Sequence, residues 1–248
     1  MSELVHYEVA DAVATLSLDS QRNRNALSRQ LVAELFAGLD RADAEDGVKA
    51  VLIRAEGPTF CSGADMSEAS RDGMEHAATV LVELQRRIAS LSKPVVTRVH
   101  GSVRAGGVGI VAASDIAISA ESATYAFTEV RLGLTPAAIS LSVLPRMTDR
   151  AAALTFLTGE VFDATTAAAS GLVTEAVPED RLDDRVATVC EALAKGNPQG
   201  LRETKQLLGR ALLDRFDARG RELAELSARL FGSPEAKAAM RAFLERRK

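Results

Sequence analysis

Apolar and polar positions alternate over residues 6–19 (HYEVADAVATLSLD), which predicts two short strands turning near Asp11. Ser28 then stands as a cap before Leu31, Val32, Leu35, Phe36 and Leu39, whose helical spacing predicts a helix to about Ala44. An apolar run at 48–54 reads as a buried strand and leads into FCSGADM (60–66). The polar stretch 67–73 precedes a second helix with Val80, Leu81, Leu84 and Ile88 on one face. Pro94 ends that helix and opens a strand at 95–99. HGSVRAGGVGIVAASDIA (100–117) comes next, with a short helix at 106–114 and strands at 116–119 and around 123–127. Strand, turn and helix recur as in an α/β protein, with crossovers too irregular for a barrel.

The pattern changes after Pro178. Residues 179–248 carry no strand signal and read as three or four helices. Ser233-Pro234-Glu235 is a helix start, with Ser as cap and Pro in the first turn. Apolar stripes at Leu212, Leu213 and Phe216, then at Leu223, Leu226, Leu230 and Phe231, need a cover. Either the chain's own core or a neighbouring subunit supplies it. The reading divides the chain into a core over 1–190 and a helical C-terminal region over 191–248.

Composition narrows the function classes. At 47% hydrophobic residues in 248, with mean hydropathy +0.02, the chain has ample material for a core and no uninterrupted apolar run of membrane-spanning length. With no Trp and few aromatics, that core must be built mainly from Ala, Val and Leu. A net charge of −4 with mixed signs argues against nucleic acid, which would call for a basic stripe. Cys61 and Cys190 make no disulfide framework, and the N-terminus lacks the basic-then-apolar pattern of a signal peptide. A cytoplasmic location is the expectation. His6, His76 and His100 have no metal-ligand spacing, so no metal is expected.

The chemistry concentrates in two glycine-punctuated turns and one glutamate. Gly63 and the Gly106-Gly107 pair permit backbone geometry that other residues resist. Gly106 also stands where AGGVGIVAA begins a helix, so its N–H lacks a partner within the helix. Two such turns side by side would aim two backbone N–H groups at one point, the architecture of an oxyanion hole. Glu129, in YAFTEVRLG (125–133), has largely apolar neighbours. Burial there would raise its pKa and suit it to shuttling a proton. The alternative is a solvated strand-edge carboxylate or a partner for Arg131. Gly107-Val108-Gly109-Ile110-Val111-Ala112 also fits a dinucleotide fingerprint, but the spacing from the strand is wrong and the ribose-binding acid is missing, so a nicotinamide cofactor is rejected.

Taken together, RNAL (24–27), both turns, Glu129, Gly133 and LTGEVFDATTAAASGLVTEAVP (157–178) resemble the enoyl-CoA hydratase/isomerase, or crotonase, superfamily over nearly the whole chain. The resemblance implies a crotonase/ClpP-like spiral of ββα units with a C-terminal helical region, associating as a homotrimer or homohexamer. No Ser/His/Asp constellation accompanies it. It implies an enzyme of lipid or fatty acid metabolism acting on an acyl-CoA thioester, coenzyme A being part of the substrate and no separate cofactor being needed. Glu129 corresponds to the family's second catalytic glutamate, and Ala64 and Gly106 to its oxyanion-hole donors. Arg24, Ala26, Ala64, Asp65, Met66, Gly106 and Gly107 match positions that hold the CoA thioester. Lys205 is either a phosphate ligand or a solvated helix lysine. Where the family shows G-G-G-x-E, this chain has Ala105-Gly106-Gly107-Val108-Gly109, so Gly109 replaces the first carboxylate. The leading expectation is a 2-enoyl-CoA hydratase, with Glu68, Asp72 or Glu75 as a substitute carboxylate. The alternatives are a single-glutamate 3,2-enoyl-CoA isomerase, a catalytically weak acyl-CoA-binding protein, or a thioester hydrolase. Hydration is expected to improve on Gly109→Glu if the loop tolerates it.

Overall fold

In the computed structural model, which describes residues 2–65, 68 and 74–245, the chain repeatedly crosses between two sheets. Strands β1 (Val5–Ala10), β2 (Val13–Leu18), β3 (Ala50–Ala55), β5 (Val95–Val99), β7 (Ile116–Ala120) and β10 (Glu175–Val177) form the larger sheet in that order. The smaller contains β4 (Thr59–Cys61), β6 (Ser102–Arg104), β8 (Thr124–Ala126) and β9 (Val161–Asp163). Each turn of the spiral therefore places one strand in the large sheet and the next in the small one. A helix usually follows before the chain returns. Only the β1–β2 and β8–β9 pairs are antiparallel.

The central strands read as continuous apolar runs because both faces of the large sheet are covered. Side chains alternate between the two sides. Val51, Ile53, Val95 and Val99 join Leu31 and Leu35 of helix α1 (Arg29–Ala44), and Leu84 and Ile88 of α2 (Met74–Ser90). Ala50, Val96, Ile118 and Ala120 instead meet Leu182, Val186 and Cys190 of α7 (Leu182–Ala194). Ser28 caps α1 as expected, its side chain accepting from the Leu31 N–H. Between them lie α3 (Gly106–Ala113), α4 (Ala137–Val143), α5 (Asp149–Thr158) and α6 (Ala164–Ser170).

The helical tail is dominated by α8, which runs from Pro198 to Phe231, 34 residues or about 50 Å. Its Leu212, Phe216 and Leu223 pack against Ala78 and Val82 of α2 and against Ala138 and Leu141 of α4. That part of the apolar stripe is covered by the chain's own core. Ser233 caps the last helix, α9 (Pro234–Glu245), by accepting from the Ala236 N–H. The division drawn between residues 190 and 191 falls inside α7, so the run of C-terminal helices begins at Leu182. Among the described residues, no helix is long and apolar enough to cross a membrane.

Lys205 fastens α8 to the sheet. It is buried, and its Nζ donates to the carbonyls of Ile88 and Lys93 and to Asp115 Oδ2 at 2.7 Å. The same Asp115 oxygen accepts the Val95 N–H at the start of β5. Burial pulls the ammonium pKa down and the Asp115 charge works against that shift. Removing one partner of such a pair strands the other charge. Lys205→Ala is therefore expected to cost about 3 kcal/mol, seen as a drop of roughly 6–12 °C in thermal melting. A Tm unchanged from wild type would show that the pair is not an anchor.

Candidate active site

Three neighbouring strands of the small sheet deliver the site. β4 pairs in parallel with β6, and β6 with β8. Their C-terminal ends consequently lie side by side, where parallel strands present their following loops to one crevice. The sequence reading attached the two special turns to the apolar runs that became β3 and β5. The structure corrects this: the three-residue strands β4 and β6 intervene, and they set the turns next to each other.

After β4 the backbone turns through Gly63, at φ +95°. Residues 62–65 then pair with the RNAL segment. Ser62 N–H donates to Arg24, Leu27 N–H to Gly63, and Asp65 N–H to the Leu27 carbonyl. Backbone groups alternate in direction along an extended segment, so the Ala64 N–H points away from Leu27. It has no hydrogen-bond partner among the described residues. RNAL is itself held by Asn25, which is fully buried at φ +51°, a left-handed geometry that Asn tolerates. Its amide donates to the carbonyls of Glu56 and Thr59 and its Oδ1 accepts from Ser20 N–H.

After β6 comes Ala105 at φ +46°, ψ −118°, a strained conformation for a residue with a Cβ and one that concentrates at functional sites. It swings the chain into α3, whose first N–H groups, those of Gly106 and Gly107, have no acceptor among the described residues. Glycine is required at 107 by contact, since a Cβ there would lie 2.7 Å from Cys61 Cβ and 3.0 Å from the Cys61 carbonyl; one on Gly106 would lie 2.7 Å from Leu27 Cδ1, which would have to turn aside. A Cβ on Gly63 would lie 3.0 Å from that of Ala105, so the two turns pack directly on one another.

After β8 the chain passes Phe127 and enters a 3₁₀ turn, Thr128–Leu132, containing Glu129. Phe127 is fully buried against Phe156, with ring centroids 4.4 Å apart, and against Phe162 at 5.7 Å. α9 also packs against this turn. Glu129 is half-buried as a residue, but its Oε2 is enclosed and has no hydrogen-bond partner among the described residues. Arg131 does not pair with it; its Nε donates to the Thr158 carbonyl. Burial lifts the Glu129 carboxyl to about 7, opposed only by a hydrogen bond from its own backbone. This is the desolvation mechanism of a carboxyl tuned to exchange protons near neutrality.

The chain matches the family model for enoyl-CoA hydratase/isomerase over residues 8–248. The chain belongs to that family. Membership makes it an acyl-CoA enzyme of the hydratase or isomerase type. A crystal structure of an enoyl-CoA hydratase from Mycobacterium avium superposes with a TM-score of 0.93 at 42% identity, covering 99% of this chain and 98% of that one. Enoyl-CoA hydratase ACTT3 of Alternaria alternata is 31% identical over 248 residues, 96% of this chain and 82% of its own. The 1,2-epoxyphenylacetyl-CoA isomerase of Escherichia coli is 28% identical over 225 residues, 88% of this chain and 86% of its own.

Of the positions carried over from the family resemblance, Ala64 and Asp65 line a cavity of about 350 Å³, walled on its apolar side by Val32, Phe36, Val80 and Leu84. A depression of about 410 Å³ between Leu144, Phe156 and Arg215 carries none of the predicted site residues, whereas the first is lined by the Ala64 turn. Arg24 is exposed and its carbonyl takes the Ser62 N–H, while Ala26 is buried. Met66 and Asp72 lie outside the described residues, as does the side chain of Glu75. Lys205 is neither solvated nor turned to a ligand, because its donors are used inside the core. Glu68 lines the same cavity, its Oε2 accepting the Arg29 N–H at the start of α1.

Gly109 lies within α3, as the helix expected over 106–114 places it and not in the loop that the Gly109→Glu expectation assumed, and every residue of that helix is buried. A Cβ there would come within 2.9 Å of Ile139 Cγ2 and 3.0 Å of the Gln85 amide. Gln85 went unremarked in the sequence, although an amide four residues after Leu81 and three before Ile88 sits on the apolar stripe of its helix.

The uncompensated carboxyl of Glu129 has a measurable signature. With a folded pKa of about 7, above the ordinary 4.5, the group is neutral in both states at low pH and charged in both above neutrality. Its cost to stability therefore grows between these values and levels off above pH 7. Glu129→Gln is expected to match wild-type stability near pH 4 and to exceed it by on the order of 2 kcal/mol at pH 8, about 5 °C in Tm. A constant difference across that range would refute the assignment.

Proposed function

We propose that this enzyme binds an enoyl-CoA with its thioester oxygen between the N–H groups of Ala64 and Gly106, and that Glu129 is its sole general acid/base. On this reading the favoured reaction is a 3,2-enoyl isomerisation, with hydration of the 2-enoyl thioester a slow side reaction. The observation that carries the reading is the buried oxygen of Glu129, unpartnered among the described residues, in a turn that follows a strand whose neighbours lead to two unpaired backbone donors. Such a carboxyl costs stability and returns none. That favours a working base over a binding protein that has lost its chemistry.

Ionised Glu129 takes a proton from C2 of the 3-enoyl thioester. The electron pair moves into the carbonyl as a dienolate, and the two N–H donors meet the charge that develops on oxygen. Each donor is worth ~3–4 kcal/mol at the transition state. Glu129, now protonated, gives its proton to C4 while the double bond settles between C2 and C3. One carboxyl suffices for this sequence. Hydration needs a second task, the holding and deprotonation of a water at C3. Gly109 brings no group for it. The apolar cavity beside Ala64 suits an acyl chain or pantetheine methylenes. The backbone around Arg24, Ala26, Asp65 and Gly107 serves the remainder of CoA.

Assays with paired 2-enoyl and 3-enoyl CoA thioesters test the reading. Isomerisation is expected to exceed hydration, to rise with pH through a midpoint near 7, and to fall at least ~100-fold in Glu129→Gln. Full activity in that variant, or hydration faster than isomerisation, would overturn it.

The exposed apolar side chains Leu154, Leu157, Val161, Leu207 and Leu208, the last two more than three-quarters accessible, support a homotrimer or homohexamer. Sedimentation is expected to show a closed oligomer at micromolar concentration, and a monomer there would refute it.

A further inference from the structure

The absence of a carboxylate at position 109 is more than a deletion, because the space is taken. Gln85 enters it from α2 and is fully buried. Its Nε2 donates to the Leu81 carbonyl at 2.9 Å and to the Ala138 carbonyl of α4 at 3.2 Å. Its Oε1 accepts the Ser142 hydroxyl at 2.6 Å. Ser142, also fully buried, lies 3.4 Å from the Gly109 carbonyl. Every polar atom of the Gln85 amide is thus satisfied by protein. Two carbonyls facing the same nitrogen fix the amide's orientation and exclude a carboxylate there, since oxygen would oppose oxygen. The network binds α2, α3 and α4 and uses both N–H donors of the Gln85 amide. A fully satisfied buried network of this kind is rigid and specifies one arrangement.

We propose that Gln85 is the specificity-determining residue of the site: its amide, held by Leu81, Ala138 and Ser142, fills the space beside Gly109 from which a second acid/base group and its water would act, and so confines the enzyme to proton transfer by Glu129. This rests on the single-base reading above. Glycine at 109 and glutamine at 85 are two halves of one exchange. A side chain entering at 109 must displace the amide at 85, and Ile139 Cγ2, 2.9 Å from where its Cβ would lie, must yield as well. Adding Glu at 109 to an intact Gln85 overpacks a helix with no free face. Gln85→Ala removes nearly as many atoms as Gly109→Glu adds, which makes the pair close to volume-conserving. Gln85→Ala alone leaves the Leu81 and Ala138 carbonyls and the Ser142 hydroxyl lining a small polar void, the setting in which a water is retained.

The experiment compares wild type, Gly109→Glu, Gln85→Ala and the double variant for Tm and for the ratio of hydration to isomerisation on matched enoyl-CoA thioesters. Gly109→Glu alone is expected to lower Tm by at least about 5 °C, and the double variant to recover most of that loss. The ratio is expected to rise several-fold in Gln85→Ala and at least about tenfold in the double variant. A merely structural glutamine would change Tm and leave the ratio where it was. An unmoved ratio in Gln85→Ala and the double variant overturns the proposal. So does a Gly109→Glu protein as stable as wild type. Should the double variant fail to fold, the ratio in Gln85→Ala decides. Wild-type protein with no isomerase activity, indistinguishable from Glu129→Gln, would instead end the single-base reading. The non-additivity of Tm would then still report whether positions 85 and 109 compete for one space.

Discussion

The arrangement of the site depends on one constraint, the parallel pairing of three very short strands, β4, β6 and β8. None could stand alone. Each is held because a longer strand of the main sheet, β3, β5 or β7, precedes it and is buried on both faces. Once paired, their ends bring the Ala64 turn, the Gly106 turn and the Glu129 turn into adjacent positions. The contact between Gly63 and Ala105 shows how little freedom remains there. A larger residue at either turn would push the two backbones apart, and with them the unpaired N–H groups.

Around that constraint the protein keeps several locally unfavourable features. Ala105 is held at a positive φ, two helix-terminal donors are left without acceptors, and a carboxyl oxygen is enclosed without a partner. These are expected where structure serves chemistry and not stability. The stabilising groups lie elsewhere: the Asn25 clamp beneath RNAL, the aromatic cluster of Tyr125, Phe127, Phe156 and Phe162, and the Lys205–Asp115 anchor beneath α8. The Gln85 network belongs with these by its bonding, since both N–H donors and the oxygen of its amide are hydrogen-bonded. Its position against Gly109 gives it a bearing on the reaction as well.

Much of this could be read from the chain by itself. Period-two alternation gave β1 and β2, and the Ser28 cap with its apolar stripe gave α1 to within a residue. The glycine turns and Glu129 stood out because special backbone geometry and an ionisable group in apolar sequence are local properties. Burial of Glu129 was inferable from its neighbours for the same reason. Three-residue strands have too few positions to show a period, so β4 and β6 were invisible and their turns were assigned to the wrong sheet. A lysine in a charged helical stretch looks solvated until the fold sets it on Asp115.

The sequence by itself thus determined the α/β class, the helical tail, the two turns and the family, because these depend on spacing along one chain. Tertiary structure alone decided which groups meet. It closed the α8 stripe onto α2 and α4, took Lys205 out of solvent, and left Glu129 Oε2 without a partner. It also filled the space at Gly109 with an amide from another helix. Gly109 and Gln85 are separated by 24 positions in the chain, and no local pattern links them. Their competition for one volume exists only after α2 and α3 have packed.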